Sequence, residues 1–78
     1  MTENEVMKFY DLIFEQPAYI RAIFKDGTIL TGRLIDVTSS WDNDDEGSYI
    51  TFVPAVGPLA RRYVMRLDYE LEKIEVIG

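Results

Sequence analysis

Apolar residues near the start of the chain recur with the spacing of a helix. Val6, Phe9, Tyr10 and Ile13 fall at i, i+3, i+4 and i+7, which lines them along one face. Thr2 and Glu5 stand just ahead of that stripe in the arrangement of a capping box, where each side chain satisfies the other residue's backbone N–H. Pro17 disfavours helical geometry in the residue before it, so the spacing predicts a helix from Thr2 to Glu15. Such a stripe is expected to pack as a lid over the open end of a sheet.

Past the proline the period shortens to that of strands. Ala18 to Lys25 and Thr28 to Val37 are rich in β-branched and aromatic residues and flank Asp26-Gly27, a dipeptide suited to the positive φ angles of a hairpin turn. Gly32 interrupts the second run, where a missing side chain marks a sharp bend or a close backbone approach. Ser39 to Gly47, SSWDNDDEG, carries four carboxylates and reads as an exposed loop. A third strand, Ser48 to Val53, stops at Pro54, and Gly57-Pro58 marks a second connection. Arg61 to Leu67 and Glu72 to Ile77 complete the strands, with a short turn between them. With no repeat or linker, residues 1–78 read as a single domain of mostly β class: an N-terminal α-helix, then a five-stranded, strongly bent antiparallel meander barrel of SH3-like type.

Composition narrows the chemistry. A chain of 78 residues buries only about 60% of its unfolded surface, so a homo-oligomer is expected to supply the missing burial. The sequence has no cysteine and no histidine, which excludes disulfides, thiol nucleophiles, zinc fingers and the usual triads. Fourteen acidic residues against eight basic ones give a net charge of −6, a field that repels phosphate backbones unless the cations gather on one face. The acidic start and the absence of a long apolar run argue against a signal peptide, a membrane span or a membrane partner, and the cytoplasm is the expected location. Asp42-x-Asp44-x-Glu46-Gly47 copies the opening of a calcium loop, but Val53 stands where a bidentate glutamate is needed. No metal site, cofactor or catalytic residue is therefore assigned, and the protein is not expected to be an enzyme, because nothing positions the loop carboxylates for acid–base work.

Residues Ile20 to Asp42, IRAIFKDGTILTGRLIDVTSSWD, resemble the first motif of the Sm-like (LSm) family, with Gly27, Gly32 and Leu34 where that motif has its two glycines and its leucine. The resemblance implies an Sm-like barrel that forms a ring by pairing the free edges of the fourth and fifth strands. Tyr63, Met65, Leu67, Ile74 and Val76 are then the interface residues. It also implies an RNA site. The positions that line the family's nucleotide pocket correspond to Trp41 and Asp42, and Met65-Arg66-Leu67 echoes the second motif, so Trp41, Asp42 and Arg66 are the nucleic-acid candidates. Asp42 puts a charge where the family has an amide, and Leu67 replaces a glycine. A protein–protein assembly module on the same barrel without RNA, or an acidic nucleic-acid mimic displaying the DNDDE run, are the alternatives. Two plainer expectations stand beside these. A lone tryptophan in a small domain usually anchors a loop from a half-buried position, and the pair Arg61-Arg62 on an edge strand guards against aggregation.

Overall fold

Alternation dictates most of the structure. In the computed structural model, which describes residues 1–78, β1 (Ala18–Phe24) turns Ala18, Ile20, Ala22 and Phe24 inward while Tyr19 and Arg21 face solvent. β2 (Ile29–Thr38) follows after a turn in which Gly27 takes a φ of 92° and the Asp26 carboxylate accepts the Thr28 N–H at 2.9 Å. β3 (Tyr49–Pro54), β4 (Val64–Leu67) and β5 (Leu71–Val76) complete a five-stranded antiparallel sheet in the order β4-β3-β2-β1-β5. The first four strands form a meander, and the fifth returns to the far side of β1.

The sheet is not closed into a barrel. β4 and β5 are joined by a single 3-10 turn, Asp68–Glu70, yet they lie at opposite edges and pair with β3 and β1 respectively. Bending comes from register shifts, one in β2 between Leu34 and Asp36 and one in β1 between Ile23 and Phe24. Gly32 is the point of closest backbone approach: a Cβ there would lie 2.1 Å from the Val53 carbonyl oxygen, so only glycine fits opposite β3. One core results, built from β1, Leu34, Val37, Ile50, Phe52, Val64, Leu71 and Ile74, with Val6 from the N-terminal segment. Within it the Phe24 and Phe52 rings stack at 6.5 Å between centroids.

Two expected elements come out shorter. The N-terminal helix α1 spans only Glu3–Met7, and a separate 3-10 helix occupies Tyr10–Phe14. The capping box at Thr2 and Glu5 forms as its spacing requires. The break lets Leu12 and Ile13 follow the curved sheet to the core, and leaves Tyr10 exposed against the edge of Phe14. No helix is long and apolar enough to cross a membrane. β4 likewise begins at Val64 rather than Arg61, because Arg61 adopts a left-handed φ of 66° and the N–H groups of Arg61 and Arg62 bond to the carbonyls of Pro54 and Leu59 in a turn.

Candidate functional site

An outer strand exposes one row of backbone groups and whatever its side chains present beside it. Along β4 the buried side chain is Val64, while Met65 is 60% exposed and Tyr63, just before the strand, is 72% exposed. Arg61, Arg62 and Arg66 make this edge basic. Along β5 the charges are Glu72, Lys73 and Glu75, with Glu70 in the preceding turn, so that edge is acidic. Val76 is exposed there. Ile74 is not: at 6% exposure its side chain belongs to the core, which corrects the expectation that it forms an intersubunit contact. Being on an edge strand frees a residue's backbone, whereas the sheet face decides where its side chain goes, and Ile74 shares the inner face with its cross-strand partner Ala22.

The loop after β2 is more ordered than its acidity suggests. Ser40–Asn43 form a 3-10 turn capped by the Ser39 hydroxyl, which accepts the Asp42 N–H. Glu3 reaches across from α1, and its carboxylate accepts the Ser40 hydroxyl at 2.7 Å and the Ser40 N–H at 3.0 Å. Those two bonds, the hydroxyl's first, hold the Glu3 carboxyl below its ordinary pKa. Asp44, Asp45 and Gly47 then take positive φ angles, and the Asn43 amide donates to the Gly47 carbonyl at 2.9 Å. No group of three or more acidic side chains converges as an ion site.

Trp41 projects from this turn with 84% of its surface exposed, so it anchors nothing and offers a bare aromatic face. The residue that joins the turn to Arg66 is Asn43. Together with Tyr49, Met65, Leu67 and Glu70 they line a groove of about 430 Å³, from which Trp41 and Asp42 are absent. A 3-10 helix has three residues per turn, so Asn43 falls on the same side as Ser40, which Glu3 holds, while Trp41 and Asp42 point elsewhere. Asp42 is exposed and meets only Ser39. Reading the segment as an irregular loop hid Asn43, although Ser39 ahead of a short polar run is a capping signal. Arg66 donates to the neighbouring Met65 carbonyl at 2.9 Å, and the molecule's ion pairs lie elsewhere, between Arg21 or Lys73 and Glu75. Its guanidinium is therefore free of any ion pair.

Comparison of the chain with protein-family models, with curated proteins and with solved structures finds no match.

Proposed function

We propose that this protein is an Sm-like binding module that assembles head to tail with copies of itself, β4 of one subunit against β5 of the next, into a homo-oligomeric ring. The observation that carries the reading is the pair of unpaired outer strands, apolar at Tyr63, Met65 and Val76 and opposite in charge. A basic edge meeting an acidic one favours a heterologous contact, whereas pairing like edges would set Arg61, Arg62 and Arg66 against themselves. Such a contact closes a ring when its rotation divides a full turn evenly. Light scattering on the intact protein tests it: a mass that is a whole multiple of the 9.0 kDa chain is expected, and a monomer at micromolar concentration removes the reading.

A second reading adds RNA to that assembly, favoured by the bare ring of Trp41 and by the Arg66 guanidinium, which makes no ion pair. An aromatic face stacks any base for about 1–3 kcal/mol. Titration with U-rich and A-rich oligonucleotides across a salt series should give affinity that falls with salt and drops in Trp41→Ala. Undetectable binding at low salt leaves a protein–protein assembly module.

A further inference from the structure

Because β4 and β5 do not pair, the inner face of the sheet stays accessible beside the β1–β2 turn, and a cleft of about 280 Å³ opens there. Its floor is apolar: Phe24 and Leu30 both belong to or pack against the core. Its rim carries two cations, Lys25 and Arg66, and two carboxylates, Asp26 and Glu70. The four are not equivalent. Asp26 accepts the Thr28 N–H at 2.9 Å and Glu70 accepts the Leu67 N–H at 2.8 Å, so both acids already have donors from the backbone. Lys25 and Arg66 take part in neither of the molecule's ion pairs. Arg66 sits opposite Ile50 in the β3–β4 register and so issues from the core-facing side of its strand, toward the cleft.

Cations free of ion pairs above an apolar floor match an anion with an apolar body. We propose that the cleft binds a small monocarboxylate with a single ring or a short alkyl chain, its carboxylate on Arg66 and Lys25 and its body on Phe24 and Leu30. Asp26 and Glu70 set the charge limit. With two fixed negative charges on the rim, one further negative charge finds free donors, while a dianion or a phosphate chain meets repulsion. The cleft shares Arg66 and Glu70 with the groove that Asn43 and Tyr49 line, draws its other residues from β1, β2 and the turn between them, and is formed within one chain without ring assembly.

Benzoate, with benzamide as the uncharged shape match and phenyl phosphate as the dianion, tests the site by amide chemical-shift titration of the intact protein. Saturable shifts at Thr28, Leu30 and Arg66 are expected with benzoate and not with benzamide. Arg66→Gln should weaken binding about tenfold, with amide signals away from the cleft unmoved, and Lys25→Gln on the exposed turn gives an independent loss. Equal response to benzamide, retention of benzoate binding in both variants, or tighter binding of phenyl phosphate overturns the proposal. Mass measured on the same samples separates the two readings: a monomer that binds benzoate keeps the cleft and loses the ring.

Discussion

β2 and β4 lie two strands apart in one sheet and are built on opposite rules. β2 runs for ten residues with a partner on each side and buries Gly32, Leu34 and Val37. β4 has four residues and one partner, and it buries Val64 alone. The difference separates what makes this chain fold from what it has to spare for other molecules. Substitutions in β2 should cost stability whatever the protein binds, whereas substitutions at the exposed positions of β4, leaving Val64 in place, should keep the fold intact and change its company.

The sharpest break in that contrast comes from Gly32→Ala. The new methyl would meet backbone atoms of Val53 and Pro54, which cannot step aside like a flexible side chain, so a loss of about 3 kcal/mol or more is expected in urea denaturation. Met65→Lys should move stability by no more than ~0.5 kcal/mol, yet lower the mass in solution toward that of one chain; an unchanged mass would take β4 out of the interface. Arg62→Glu should weaken assembly less, and pairing it with Glu72→Arg should recover part of the loss if the two edges meet. The smallest effect belongs to Glu3→Gln, which removes the carboxylate holding Ser40. Because that carboxyl titrates below its ordinary value of 4.5, its contribution is complete above that pH and is lost as the pH falls through the lowered value. The wild type should therefore lose stability relative to Glu3→Gln only in acid, measured as the difference between their unfolding midpoints from pH 7 downward.

Elements set by neighbouring residues were legible in the sequence, and those set by distant ones were not. The Asp26-Gly27 turn, the capping box at Thr2 and the stop near Pro17 rest on local chemistry, and each stands where its residues require. The length of α1 does not. Its stripe was sound through Val6, but Glu3 is held by Ser40 and the terminal amine by the Asp68 and Leu71 carbonyls, contacts that no periodicity records. Arg61 to Tyr63 alternate like a strand while their backbone serves a turn. At the site, exposure of Met65 and Val76 followed from their positions, whereas Trp41, expected half-buried, is 84% exposed, Asn43 required knowing that the acidic loop coils, and Ile74 required knowing which face of β5 looks inward.

The contact between Gly32 and Val53 also governs how β3 and β2 find each other. Sliding β3 by two positions along its neighbour keeps inner residues inner, so hydrophobicity alone tolerates the error. Such a slip would bring the tight crossing onto Leu30 or Leu34, whose side chains leave no room for a carbonyl. One absent methyl thus works as a notch into which only a single alignment of the two strands can drop.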